Sequence, residues 1–128
     1  QNPPLELEGD FMRATGYEAA STLLELDPRP SALFASNDSM ALGAIHGLQD
    51  AGIDVPTEVA VVGFDDIPSA ASVRPALTTV RVPMHALGIQ AMDRLLDAID
   101  SGEIAAESNP TTLATELVVR ASCGCAPA

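Results

Sequence analysis

The chain contains no lysine and no tryptophan. Its cations are 6 arginines against 18 acids, and the formal net charge is −12. A protein that grips a phosphate backbone gains affinity by placing clustered cations where counterions were. These residues therefore do not bind nucleic acid themselves. The missing lysine also excludes Schiff-base chemistry, a P-loop, and the receiver arrangement that pairs a lysine with acids. Aromatics make up 3 % of the chain, so Phe11, Tyr17, Phe34 and Phe64 each carry unusual weight. No run of 18 apolar residues offers a membrane-spanning helix. Cysteine is confined to Cys123 and Cys125, and His46 and His85 are remote from them in sequence. No metal site or cofactor is expected from so sparse a set. A bridge across the single residue between the cysteines would be strained, so they read as reduced thiols on a frayed tail. The chain starts at Gln1 with neither an initiator Met nor a signal peptide, which reads as a fragment or a processed product.

What is present suits one α/β domain. At 128 residues and 47 % hydrophobic content, the chain can bury roughly two thirds of its unfolded surface, in a core of Ala, Val, Leu and Ile. Val59-Ala60-Val61-Val62 is small and apolar without a polar break, as a strand buried on both faces would be. Gly63 then frees the backbone, and Phe64-Asp65-Asp66 follows. Ala32-Leu33-Phe34-Ala35 repeats the pattern and ends in Ser36-Asn37-Asp38. Ligands of open parallel sheets bind beyond the carboxyl ends of the strands. Two core strands that each end in a polar cluster therefore predict two walls of a cleft.

The remaining elements follow in order. Leu5 to Glu8 alternates at period two and predicts a half-buried strand. Asp10 is placed to cap a helix with Met12, Gly16, Ala19, Ala20, Leu23 and Leu24 at helical spacing. Asp27 to Pro30 stops it. Asp38 reads as the N-cap of a second helix, with Met40, Ala41, Ala44, Ile45 and Leu48 on one face and Gly52 past its end. His46 lies off that face and reads as solvated. After a loop with at most one helical turn (67–76) come a β-branched strand (77–82) and a helix begun by Pro83 and ended by Gly102. Residues 103–112 read as an acidic loop and 113–120 as a last strand. The β-α-β-α-β order with short loops predicts a parallel sheet with right-handed crossovers.

Polyols are held by planar amides or carboxylates on adjacent hydroxyls, with an aromatic ring against the apolar sugar face. Asn37, Asp65 and Phe11 supply those groups, while Phe64 reads as core behind Asp65. An enzyme would instead use Asp38, Asp65 and Asp66 as a metal or acid/base cluster. No strand ends in histidine and no nucleophile elbow is present, so catalysis is not expected.

The segments Gly9-Asp10-Phe11, Phe34 to Ala44, Val55-Pro56 with Val59 to Asp66, Pro75 to Val80 and Glu116 to Ser122 together resemble the LacI/GalR family of bacterial transcription regulators. The resemblance implies a parallel-sheet, three-layer lobe of a type I periplasmic-binding-protein-like fold, present in part. It implies that residues 1–82 and 111–128 belong to the C-terminal lobe of the effector-binding domain, and that the helix of 83–102 belongs to an N-terminal lobe encoded upstream. The helix-turn-helix, the first lobe, the opening strand and helix of the second, and the family's effector-binding arginine would precede Gln1. Phe11 matches the family aromatic that stacks on the effector, Asn37 its strand-end polar ligand, and Asp65 its effector-binding aspartate. Arg81-Val82-Pro83-Met84 is more apolar than the family's usual lobe crossover. The implied partners are a small-molecule effector of the sugar class, a second copy of the chain, and operator DNA reached only through the upstream domain, all in the cytoplasm and away from membrane. Leu42 and Val73 match positions at the family's two-fold axis and are expected at a homodimer interface. The alternative with the same fold is a periplasmic sugar-binding protein of an uptake transporter.

Overall fold

A computed structural model describes residues 5–102 and 111–125. The chain divides into two compact units, residues 1–81 with 117–128, and residues 82–116. The first unit is built on a sheet of β1 (Ala32–Phe34), β2 (Ala60–Asp65), β3 (Thr78–Arg81) and β4 (Glu116–Val118), in that spatial order. β1 pairs parallel with β2, and β2 parallel with β3, with Phe34 opposite Val62, and Phe64 opposite Val80. These are the parallel crossovers that the alternation of strand and helix demands.

Two helices, α1 (Arg13–Leu24) and α2 (Asp38–Asp50), pack on each other at backbone distance. Their sequences permit this through small residues spaced four apart, Gly16 and Ala20 on α1 and Gly43 and Gly47 on α2. A side chain at Gly16 would run into the Met40 backbone, and one at Gly43 into the carbonyl of Arg13. With nothing between the backbones, dispersion contacts are made along the whole crossing. Beneath α2 lies the core, in which Leu42, Ile45, Leu48, Val59, Val61 and Leu77 are fully buried.

The sheet is covered unequally. Val61, Gly63 and Thr79 are buried, and Gly63 lies directly under Ala41 and Asp38 of α2. On the opposite face Ala60, Val62, Phe64 and Val80 are half-buried, and Phe34 is 65 % exposed. The uninterrupted apolar run at 59–62 predicts burial on both faces, but this chain supplies a full cover for one. Phe64 is accordingly half-buried rather than core.

Several local expectations are corrected. Leu5 to Glu8 forms no hydrogen-bonded strand, and its residues are exposed. It flanks an open groove of about 710 Å³ whose other wall is β1 from Ala32 to Ala35. The period-two pattern is real, but among the described residues no strand pairs with this segment. Leu42 is 1 % exposed, packed in the core with Val73 against it. It offers no surface to a second copy, so its expected place at a dimer interface is corrected: α2 buries this side chain in the chain's own core, against which Ile67 and Val73 also pack. Val73 is half-buried. The end of the chain is also no frayed tail through Cys125. A short 3-10 turn, Ala121–Cys123, is held by the Ser122 N–H donating to the Ala76 carbonyl at 2.9 Å.

The second unit contains α3 (Met84–Ser101), closed by Gly102 in the left-handed conformation at φ 70°. No residue of α3 is buried, and Met84, Leu87, Met92, Leu95, Leu96 and Ile99 are exposed. Within this unit the Arg94 guanidinium donates to the Thr111 hydroxyl at 2.5 Å.

Candidate functional site

The site is assembled where α1 and α2 begin and β2 ends. Asn37, not Asp38, is the N-cap of α2: its Oδ1 accepts from the Met40 N–H at 2.8 Å. Its Nδ2 donates to the Phe11 carbonyl at 2.9 Å. The amide thus ties the start of α2 to the segment that leads into α1, and keeps one N–H and one lone pair for a ligand. Asp10 is not a helix cap either. Its Oδ1 accepts from the Met12 N–H at 2.9 Å and the Thr15 hydroxyl at 2.8 Å, an Asx turn before the first turn of α1. Those two donors hold its carboxyl below the usual carboxylate range, against a smaller upward effect of desolvation.

Between these two turns the Phe11 backbone is bent to φ 66°, and its ring is left 62 % exposed. An exposed phenyl on a residue held at positive φ costs the fold free energy twice, in hydration and in backbone strain. Asn37 is one of the groups that hold it there.

β2 ends in a comparable way. Asp65 has φ 112° and Asp66 φ 60°, so the chain leaves the sheet through two consecutive non-glycine residues at positive φ. Their environments differ. Burial raises the Asp65 pKa, and the charge of nearby Asp38 raises it further. Burial would raise Asp66 too, but hydrogen bonds from Arg120 and then Arg81 outweigh it and hold that carboxyl below its ordinary value. The bonds are 2.6 Å from Arg120 Nη2 and 2.7 Å from Arg81 Nε. Asp66 is therefore a structural anion, whereas Asp65 is a half-buried carboxylate pressed by a second acid.

Asp38 is the hidden member of the cluster. It is 0 % exposed, and accepts from the Thr79 hydroxyl at 2.5 Å and from the Ile67 N–H at 2.8 Å. Gly63 is explained by it, because a side chain there would strike Asp38 Oδ1. The residue serves space rather than conformational freedom, since Gly63 is not among the positive-φ positions. The three carboxylates thus sit in three different environments: Asp66 paired with arginines, Asp38 buried on Thr79 and Ile67, and Asp65 half-buried beside Asp38. Among the described residues, no three of His, Cys, Asp and Glu gather as a metal site.

Pattern reading missed Arg120 and Thr79 as members of this network. Arg120 lies 54 residues from Asp66, and donates also to the Leu77 carbonyl at 2.7 Å. No local pattern marks such a pairing, though an arginine in so cation-poor a chain is itself a signal. The open groove beside β1 is a different place: Phe11, Asn37 and Asp65 do not line it.

An amide and a carboxylate at the ends of parallel strands, with an exposed ring just before α1, are the groups such an α/β lobe would offer a small molecule. Residues 2–123 match the family model described as a periplasmic binding protein-like domain. The chain is 42 % identical over 108 residues to the lactose operon repressor of Rhizobium radiobacter, covering 84 % of this chain and 93 % of that sequence. It is 48 % identical over 90 residues to catabolite control protein A of Priestia megaterium, covering 70 % of this chain and 27 % of that protein. A crystal structure of a LacI family transcriptional regulator from Enterococcus faecium with bound ribose superposes with a TM-score of 0.76 at 32 % identity, covering 88 % of this chain and 40 % of that one. The chain belongs to the LacI/GalR family, through its periplasmic binding protein-like effector domain. It spans about a quarter of the Priestia relative and two fifths of the Enterococcus one.

Proposed function

We propose that this chain is the effector-sensing part of a bacterial transcriptional repressor, that it takes a sugar or related polyol, and that it performs no catalysis. The observation that carries the reading is the pair of backbone distortions at φ 66° and 112°, which hold Phe11 and Asp65 at the ends of their elements. Asp66 shares this strain and has two arginine partners for its side chain, whereas the exposed Phe11 ring and the half-buried Asp65 carboxylate have no such anchor described, which supports holding them for a ligand. Phe11 would cover the apolar face of the ring, Asp65 would accept from adjacent hydroxyls, and Asn37 would use its remaining N–H. The ribose in the Enterococcus regulator supports a sugar. The repressor names of the Rhizobium lactose operon protein and its kin favour a regulator over a transporter's binding protein, and with it a cytoplasmic location.

In this reading residues 1–82 and 111–128 form the C-terminal lobe, and the helix of 83–102 docks on an N-terminal lobe of the whole regulator. The unmet apolar face of α3, the half-covered sheet face and the groove beside β1 are surfaces for the rest of such a protein. DNA is contacted only by a separate domain, since the charge of −12 opposes it here. A homodimer would use the surface around Val73 and the 67–76 loop without Leu42.

Titration of the full-length regulator with candidate sugars, by calorimetry or operator release, tests the assignment. Asp65→Ala removes a charged hydrogen-bond acceptor worth about 1.5–3 kcal/mol, so the dissociation constant should rise roughly ten- to a hundredfold. An unchanged constant overturns the site.

A further inference from the structure

Cys123-Gly124-Cys125 is the one motif that effector binding leaves unused. The structure makes it a built site. The Ala121–Cys123 turn is pinned on both sides: the Ser122 hydroxyl donates to the Val61 carbonyl at 2.6 Å, and accepts from the Thr78 N–H at 2.8 Å. Gly124 then turns through φ 70°. That bend folds Cys125 back, so that its N–H donates to Cys123 Sγ at 3.3 Å and its thiol to the Cys123 carbonyl at 3.8 Å. Cys123 is half-buried and Cys125 exposed. A non-glycine residue at position 124 would resist this geometry.

From this arrangement we infer that Cys123 and Cys125 form a peroxide-sensitive dithiol, with Cys123 the attacking sulfur and Cys125 the resolving one. The two thiols are not equivalent. Burial raises the Cys123 pKa, but hydrogen bonding at the sulfur, to which the Cys125 N–H donates, outweighs it, and the thiol ends below its ordinary value. Cys125 is raised, by its hydrogen bond to Cys123 and then by that sulfur's charge. The sulfur with more thiolate character is the better nucleophile near neutral pH. Its thiolate attacks one oxygen of a hydroperoxide; an S–O bond forms, the O–O bond breaks, and the departing alkoxide or hydroxide takes up the proton the thiol had released and leaves as alcohol or water. The Cys125 thiol then displaces that hydroxyl as water, with its own proton, and closes the disulfide. Two thiols are oxidised and one peroxide is reduced. A ring closed over one intervening residue is strained, so it is readily reopened by small thiols.

The consequence falls on the effector lobe. The Arg120 carbonyl accepts from the Thr78 hydroxyl at 3.1 Å and is 3.6 Å from Cys123 Sγ, while the Arg120 side chain holds Asp66, the neighbour of Asp65. Closing the disulfide removes the Cys123 thiol proton, and with it the hydrogen bond that this thiol donates to the Arg120 carbonyl.

The test uses the full chain, reduced and then treated with equimolar hydrogen peroxide at neutral pH. Expected are loss of both free thiols together, a mass lower by two hydrogens, no covalent dimer, and full recovery with dithiothreitol. Cys125→Ser should stop at a sulfenic acid that dimedone traps on Cys123. Cys123→Ser should slow thiol loss roughly tenfold, to the rate of an ordinary exposed cysteine. Circular dichroism of both variants checks that they fold. Equal reactivity of the two cysteines, or oxidation only between chains, would overturn the proposal. Hydrogen exchange at Thr78 and Arg120 should quicken on oxidation; unchanged exchange there removes the link to Asp66.

Discussion

α2 and α3 are both amphipathic and of similar make, yet the chain treats them in opposite ways. α2 buries eight of its residues, including Leu42, Ile45 and Leu48, between α1 and the sheet. α3 buries none and leaves Met92, Leu95, Leu96 and Ile99 in water. The apolar stripe by itself therefore does not say what a helix packs on. It says that the helix needs a cover, and in α2 that cover lies within the chain. What α2 touches belongs to this chain's own stability, whereas what α3 would touch is a matter of partners.

The sharpest way to break this comparison is to truncate α2. Leu42→Ala removes a side chain that is 1 % exposed and leaves a cavity, and should cost about 2–5 kcal/mol in chemical denaturation. If Leu42 were an interface residue instead, the loss would depend on protein concentration. A cost independent of concentration supports the core assignment.

The next effect in size is at the end of β2. Asp66 joins β2 to Arg81 and Arg120 through two charge-assisted bonds. Asp66→Asn should destabilise the chain by about 2 kcal/mol. Because the Asp66 pKa is depressed in the folded state, its contribution is complete above the unfolded carboxylate range, and is lost as pH falls through the folded value. Stability of the native chain should therefore fall on acidification more steeply than that of Asp66→Asn. Parallel pH profiles for the two would show that the pairs contribute nothing.

Asp65 should behave in the opposite sense. Its pKa is raised, so the folded state holds the proton more tightly, and the stability this brings is lost as pH rises past the ordinary carboxylate range. Its φ of 112° adds strain that glycine does not feel. Asp65→Gly should stabilise the chain by about 1 kcal/mol while losing effector binding in the full-length regulator. A variant that is less stable and still binds would mean that Asp65 is structural.

The strands that start near 32 and 60, the three main helices and the glycine that ends α3 were legible because each rests on local chemistry, namely short apolar runs, 3.6-residue spacing and helix stop signals, although β2 runs on through Asp65 instead of ending before Phe64. Three things were not. Asn37 and Asp38 are both good cap residues, and which one caps depends on where Asp38 is needed, beneath β2 and bonded to Thr79. Leu5 to Glu8 has strand periodicity, but a strand requires a neighbour, and periodicity does not supply one. Leu42 looked surplus on α2 because a helical wheel cannot see what loops such as 67–73 add to the core in which it is buried. At the site, Phe11 and Asp65 were legible as residue types, but their positive φ values were not, since neither residue is glycine or asparagine.

The smallest expected effect lies in α3. Replacing Leu95 and Leu96 with Ala removes two side chains that are already half in water. They contribute little burial to this chain, and alanine is the better helix former by a few tenths of a kcal/mol. The denaturation midpoint of this chain should shift by no more than about 0.5 kcal/mol in equivalent free energy. In the full-length regulator the same pair would sit under a partner surface, and the cost should rise to about 4 kcal/mol or more, since each buried leucine cut to alanine costs at least half of that. Measuring both proteins side by side isolates the cover from the helix. A large loss in the 128-residue chain would mean that α3 finds its partner within the chain or in a second copy, and dilution distinguishes those two, because only the latter weakens as concentration falls.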